Sequence, residues 1–171
     1  MAAIDLIVLG MLKNGPMSAY DIQKLVEYRN ISRWVKISTP SIYKKVLQLE
    51  QKGFITGDTV KMGKMPEKAV YSLTHEGSDE FERLMLETSA EPIHIFLDFN
   101  AVIVNLNSLS PEKQQECICK IEKNVMVLKS YLENNITEKS GNPQIPEPGM
   151  AVLRQQYELA KSIEAWIRSL K

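Results

Sequence analysis

The sequence predicts a mainly α-helical protein with one small β-hairpin, divided into an N-terminal half of short helices and a C-terminal half of long ones. Three observations carry that reading. Apolar residues recur at helical spacing through most of the chain, as in Ile42, Val46 and Leu49, or Ile118, Ile121, Val125, Leu128 and Leu132. Between Phe54 and Leu73 the pattern changes to two short strand-like runs separated by a segment holding Gly and Pro. Further on, Gly141 to Gly149, GNPQIPEPG, breaks the second half with three prolines.

In chain order, Ala2 to Asn14 carries Ile4, Leu6, Ile7, Val8, Leu9, Met11 and Leu12 and stops at Asn14-Gly15-Pro16. A helix apolar on most sides is covered on most sides, so it is expected to lie against more than one neighbour and to help hold a dimer. Ser18 with Asp21 three residues later reads as a capping-box start. The helix after it runs to about Arg29 with Tyr20, Ile22, Leu25 and Val26 inward. An irregular stretch with Trp34, Val35 and Ile37 leads to Thr39-Pro40, expected to open a third helix: Thr39 accepts from its free amides and Pro40 takes N1. Beside the Ile42, Val46, Leu49 face run Ser41, Lys44, Lys45, Gln48 and Lys52, a polar, cationic stripe, and Gly53 sits where a C′ glycine would close the helix.

Phe54–Thr56 with Thr59-Val60 reads as one strand and Ala69–Leu73 as its partner, joined through Lys61, Lys64 and Lys68. Thr74 then caps a helix to about Glu87. Three helices, a basic hairpin and a further helix make a winged helix-turn-helix, in which the third helix enters the major groove and the hairpin, or wing, reaches neighbouring phosphates.

The second half differs in kind. Pro92 to Leu106, with Ile93, Ile95, Phe96, Leu97, Phe99, Val102, Ile103 and Val104, is apolar almost all round and is expected to be buried. Ser110-Pro111-Glu112 starts a helix whose apolar positions form a short heptad seam. The last helix, Met150 to Leu170, carries Leu153, Tyr157, Ala160, Ile163, Ile167 and Leu170. So much apolar surface predicts a homodimer through Ile93, Phe96, Ile118, Ile121, Val125, Leu128, Leu153, Tyr157, Ile163 and Ile167. A monomer whose tail helices pack only on each other is the alternative. The expected division is 1–88 for a winged-helix DNA-binding domain and 89–171 for a helical dimerisation domain, with a linker at 139–149.

Composition fits that architecture without naming a partner. Of 171 residues, 44% are apolar and 25% charged, and the formal charge is zero. Charge is unevenly placed, however: from Lys24 to Lys68 there are ten Lys/Arg against four acids. A solvated lysine-rich surface would look similar. The candidate DNA contacts are Thr39, Ser41, Tyr43, Lys44, Lys45 and Gln48 from the helix, and Lys61, Lys64 and Lys68 from the wing, since long donors reach base edges and phosphates. Trp34 and Trp166 are candidates to line a cavity for a small-molecule effector, with core or interface packing as the other reading.

Catalysis finds no motif: there is no Gly-rich phosphate loop, nucleophile elbow or HExxH, so no catalytic residue and no cofactor is expected. Cys117 and Cys119 cannot make a disulfide framework, and residues two apart on a helix face different sides, which argues against a shared metal. His75 reads as a helix-start residue and His94 as a packed one. No apolar run is long enough for a membrane span and no secretory signal precedes Ile4, so a cytoplasmic location is expected.

Five segments then come in a telling order: Val8-Leu9-Gly10-Met11-Leu12; Gly15-Pro16-Met17 with Tyr20-Asp21-Ile22; Pro40-Ser41-Ile42-Tyr43 with Leu47 and Leu49-Glu50; Gly53-Phe54-Ile55; and Tyr71-Ser72-Leu73-Thr74-His75-Glu76-Gly77. Over about residues 4–86 the chain resembles the PadR family of winged-helix transcriptional regulators, and its tail resembles the long-tailed, virulence-activator-like branch. The resemblance implies a homodimer on an inverted-repeat operator in double-stranded DNA, usually a repressor released by a small molecule. It also implies that Tyr43 touches the DNA backbone, although packing alone could explain that position. An activator of the same fold, or a winged-helix protein-interaction module that leaves DNA alone, are the competing functions.

Overall fold

The computed structural model describes residues 2–60 and 68–171. Its elements are α1 (Ala2–Leu12), α2 (Ala19–Tyr28), α3 (Ser41–Gln51), β1 (Ile55–Val60), β2 (Lys68–Leu73), α4 (His75–Ala90), α5 (Asn100–Ile103), α6 (Pro111–Lys139) and α7 (Glu147–Arg168). Short 3₁₀ turns occupy Ile31–Arg33 and Leu106–Ser108. The chain divides into two compact units, Met1–Ile93 and His94–Lys171.

In the first unit each short helix is fixed by local chemistry before it is fixed by packing. Ser18 caps α2: its hydroxyl oxygen accepts from the Asp21 amide at 3.2 Å, and the Asp21 carboxylate accepts from the Ser18 amide at 3.2 Å. α3 ends in a Schellman turn. Gly53 adopts φ +75°, its amide donates to Glu50 O at 2.8 Å, and the Phe54 amide donates to Leu49 O at 3.0 Å. The start of α3 departs from expectation. Ser38–Ser41 forms a tight turn in which the Ser41 amide and hydroxyl both donate to Ser38 O, so Pro40 is the N-cap rather than N1 and Thr39 contributes its carbonyl to the Ile42 amide, 3.1 Å, instead of a side-chain cap.

Thr74 joins α3, the hairpin and α4. Its hydroxyl donates to Gly53 O at 2.7 Å and accepts from the Gly77 amide at 3.0 Å, while its own amide donates to Phe54 O at 3.1 Å. The fit there is close: a Cβ on Gly77 would lie 1.9 Å from Phe54 O. β1 and β2 pair antiparallel with Ile55 opposite Leu73, and β1 runs unbroken through Gly57 and Asp58. Met17 adds a bridge to the other edge of β2 through two bonds with Tyr71, of 3.0 and 2.9 Å. Around this frame Val8, Leu9, Ile22, Val26, Ile42, Val46, Leu49 and Ile55 form one core, with α1 packed on α3 and α4. The neighbours that cover the apolar α1 are therefore elements of its own unit.

The second unit is an α6–α7 pair with a short N-terminal lead. Ile118, Ile121, Val125 and Ile167 are buried together with Phe99, Ile103, Leu106 and Ile163 against them, and Leu132, Met150, Leu153 and Ala160 form a second cluster with Tyr157 beside it. Most of the residues expected at the dimer contact pack within the chain: Ile118, Ile121, Val125, Leu153 and Ile167 are buried and Tyr157 and Ile163 half-buried, while Leu128, Ile93 and Phe96 are exposed. One expectation is corrected here. The 92–106 segment is not a buried helix; Ile93, Ile95 and Phe96 stand in extended chain at 91, 65 and 86% exposure, and only Asn100–Ile103 turns into a helix. Pro148 fits the first turn of α7, which lacks partners for its amides anyway, so that helix begins at Glu147, inside the expected linker. His94 is exposed, stacked on Phe96 with centroids 6.0 Å apart, rather than packed in a core.

A charge network closes the second unit. Glu164, 5% exposed, accepts from Lys129 at 2.5 Å and pairs with Arg168 at 2.7 Å; Arg168 also reaches Glu122 at 3.0 Å, and Lys171 pairs with Glu122. A carboxylate this buried needs such partners. The Lys129 hydrogen bond holds the Glu164 carboxyl below its ordinary range, and Lys171, then Arg168, do the same for Glu122.

Candidate nucleic-acid interface

α3 buries Ile42, Val46 and Leu49 and turns the opposite side outward. At about 100° per residue, the outward side centres near Lys44 and Gln51, with Leu47 and Gln48 beside it and Tyr43 at its edge. Tyr43 is 45% exposed and Leu47 53%, and Lys44, Gln51 and Lys52 are exposed too. This face is rotated from the stripe read in the sequence. Ser41, Lys45 and Gln48 lie on its flank and are half-buried, because the start of α1 comes over that side.

Lys45 is placed apart from Lys44, the other lysine of α3. It falls about 60° from the buried centre line rather than on the open face. Its Nζ sits 2.7 Å from Asp5 Oδ1 of α1, with side chains only 16 and 17% exposed. Lys45 is thus spent on an internal pair in this conformation, and it is not one of the outward cations. Thr39 is half-buried and holds the turn into α3 by its backbone. Lys61 and Lys64 lie outside the described residues. Lys68, the first residue of β2 and paired with Val60, is exposed but bonded to Asp21 Oδ2 at 2.7 Å. That bond is the leading reason the Asp21 carboxyl titrates below its ordinary range, with the Ser18 hydroxyl and amide adding to it.

Two concavities flank the open face. One, about 320 Å³, is lined by Ile4, Lys36, Ser41, Lys44, Lys45 and Gln48 among others. The second, about 280 Å³, gathers Tyr20, Tyr43, Lys68 and Tyr71 between the start of α2, α3 and β2. Tyr20, expected inward, is 53% exposed here, its ring 5.5 Å below the Lys24 ammonium. Sequence reasoning missed Tyr20, Leu47, Gln51 and Lys36. Leu47 and Gln51 could have been found by centring the outward face opposite Ile42 and Val46 instead of following the lysines.

The hairpin is locked to α3 from behind. The Gly57 amide donates to Glu50 Oε1 at 3.1 Å, and a Cβ at Gly57 would lie 2.6 Å from that oxygen and 2.9 Å from the Tyr71 ring. Glu50 therefore turns its charge toward the strand and away from the open face. Of the tryptophans, Trp34 packs against the core of the first unit, whereas Trp166 is 39% exposed, stacked on Phe99 at 6.1 Å, beside a hollow of about 250 Å³ lined by Leu97, Asn100, Ser162 and Ile163. Among the described residues no His, Cys, Asp and Glu cluster could hold a metal, and no helix is long and apolar enough to cross a membrane.

A buried helix-turn-helix core, an outward α3 and a two-stranded wing define a winged-helix domain. More particularly, residues 8–83 of the chain match the model of the transcriptional regulator PadR-like family. Over 99% of its length the chain is 23% identical to the negative transcriptional regulator PadR of Bacillus subtilis, of which it covers 96%. The fold matches the crystal structure of that PadR in complex with operator DNA with a TM-score of 0.84, 23% identity and coverage of 99 and 97% of the two chains. It matches the same protein in complex with p-coumaric acid with a TM-score of 0.78, 20% identity and coverage of 98 and 92%. The Vibrio cholerae virulence activator AphA matches with a TM-score of 0.70, 16% identity and coverage of 98 and 95%.

Proposed function

We propose that the protein is a sequence-specific transcriptional repressor that places α3 in the major groove of an inverted-repeat operator as a homodimer. The observation that carries this is the open face of α3, where Tyr43, Lys44, Leu47 and Gln51 are held outward by a fully packed opposite side, with Gln48 half-buried at its flank. Gln48 and Gln51 can pair with adenine edges and Lys44 with guanine or phosphate, while Leu47 suits a thymine methyl. Tyr43 and Lys68, on the wall of one concavity, suit the phosphate backbone, and Lys61 and Lys64 would extend that contact along the wing.

A two-fold protein reads half-sites roughly 34–36 Å apart. The dimer contact is drawn from apolar surface that the α6–α7 core leaves over, including Phe96, Val104 and Val127 at 86, 79 and 64% exposure. The Bacillus protein's complex with p-coumaric acid supports release by a small aromatic acid, for which Trp166 and Phe99 offer a stacking surface. Cytoplasmic residence follows from this role.

Selection of bound duplexes from a random pool is the test. The expected product is a palindrome with one-turn spacing, bound by a species of twice the chain mass in sedimentation. Affinity should fall as salt rises with a log–log slope of roughly −0.9 per neutralised phosphate. A flat salt response, or no enriched duplex, would return the domain to a protein-interaction role. Transcript levels in a deletion strain separate repression from activation.

A further inference from the structure

The Asp5–Lys45 pair invites a question that packing does not answer. An acid in the first turn of α1 is already favoured by the helix dipole and needs no lysine partner. Lys45 could lie along the helix flank with its ammonium in water, as long lysine stems do. Instead its Nζ is 2.7 Å from Asp5 Oδ1, and both side chains are more than four-fifths buried, so salt screens the pair weakly. Directly beside it opens the concavity of about 320 Å³ that Ser41, Lys44 and Gln48 share with Ile4 and Lys36. A lysine released from Asp5 has space there to swing its flexible stem toward the open face of α3.

We propose that Asp5 is a positioning residue that tunes DNA affinity: from α1 it holds the Lys45 ammonium off the duplex and so withholds one phosphate-seeking cation from the recognition helix. The inference rests on the reading of α3 as the helix that meets DNA. Its physical logic is that phosphate contacts add affinity for every sequence alike, whereas base contacts add it for one. Neutralising a lysine beside the base-reading side chains therefore lowers attachment to operator and random duplex alike, without touching Tyr43, Lys44 or Gln48, and sets how tightly and how salt-sensitively the helix holds any duplex.

The experiment compares salt slopes for the full chain on its selected operator and on a random duplex of equal length. D5N keeps the shape of the side chain and removes its charge. Its slope is expected to steepen by roughly 0.9 on both duplexes, and its random-duplex affinity to rise; from about 50 to about 200 mM salt it then loses roughly 3.5-fold more affinity than the wild type. K45M in the wild-type background is expected to leave the slope unchanged, and D5N/K45M to restore it. A purely structural pair would shift melting temperature but not these slopes. Equal slopes for wild type and D5N overturn the proposal, as does a slope made shallower by K45M alone, which decides the matter even if D5N does not fold. Should the wild type show no salt-dependent DNA binding at all, the DNA-facing reading of α3 falls first and this one with it, an outcome distinct from both.

Discussion

α3 and α7 are both amphipathic helices with an apolar spine, and they treat their charges in opposite ways. In α7 the spine of Met150, Leu153, Ala160 and Ile167 is buried on α6, and the charges at its far end are consumed in bonds to the same neighbour: Glu164 to Lys129, Arg168 and Lys171 to Glu122. In α3 the spine of Ile42, Val46 and Leu49 is equally buried, yet Lys44, Gln51 and Lys52 stand exposed and the acid nearest them, Glu50, is bonded to the hairpin. A helix whose work is packing satisfies its polar groups inside the fold. A helix kept for an outside partner leaves them open, and Lys45 is the residue of α3 that follows the rule of α7.

The sharpest way to break this contrast is at the junction that presents α3. With a Cβ 1.9 Å from a backbone oxygen, Gly77→Ala forces Phe54 and Thr74 apart. The expected cost is about 4 kcal/mol by urea melt, with DNA binding lost alongside. A melt indistinguishable from wild type would mean that the junction is loose. Next in size, Ile167→Ala empties a fully buried site of the second unit and should cost about 3 kcal/mol. The tryptophans report separately, Trp34 from the first unit and Trp166 from the second. In a W34F background the Trp166 transition should shift to lower urea, whereas Trp34 in a W166F background should move less; equal shifts would join the two cores into one cooperative block.

Acid probes the charges themselves. Because Glu122 and Glu164 have folded-state values below the ordinary 4.5, their contribution is complete above that pH and is lost as pH falls through the lowered values. Melting temperature should therefore hold from pH 7 to 5 and drop below about 4.5, and Glu164→Gln should lessen the drop. An unchanged acid profile in that variant would remove Glu164 from the account. The smallest effect has the opposite sign. Gly149→Ala, with Ile145 Cγ2 the nearest atom at 3.9 Å, lies in the first turn of α7 and should stabilise by about 0.5 kcal/mol. The same substitution at two glycines thus separates close backbone approach from spare helix entropy.

Much of the fold was legible locally. The Ser18/Asp21 cap, the Gly53 closure of α3 and the spacing of Ile118, Ile121 and Val125 each state a local geometry that short-range sterics and hydrogen bonding enforce. What the spacing could not say is which partner takes each face. The α6 seam suits another copy as well as it suits α7, and only the turn through Pro146 and Pro148 brings α7 back along it. Likewise the lysines of α3 were read as one stripe, although α1 covers the flank on which Lys45 lies. The run at Ile93–Phe96, expected to be buried, is exposed irregular chain, because apolar residues in series do not say what covers them.

By itself, then, the order of residues determined most of the element types and their caps and breaks, because those depend on neighbours within a few positions. Tertiary structure decided which cations remain available, which apolar faces are closed and where Tyr20 and Leu47 point. Those are set by residues far apart in the chain, such as Asp5 and Lys45, whose meeting depends on how whole helices pack.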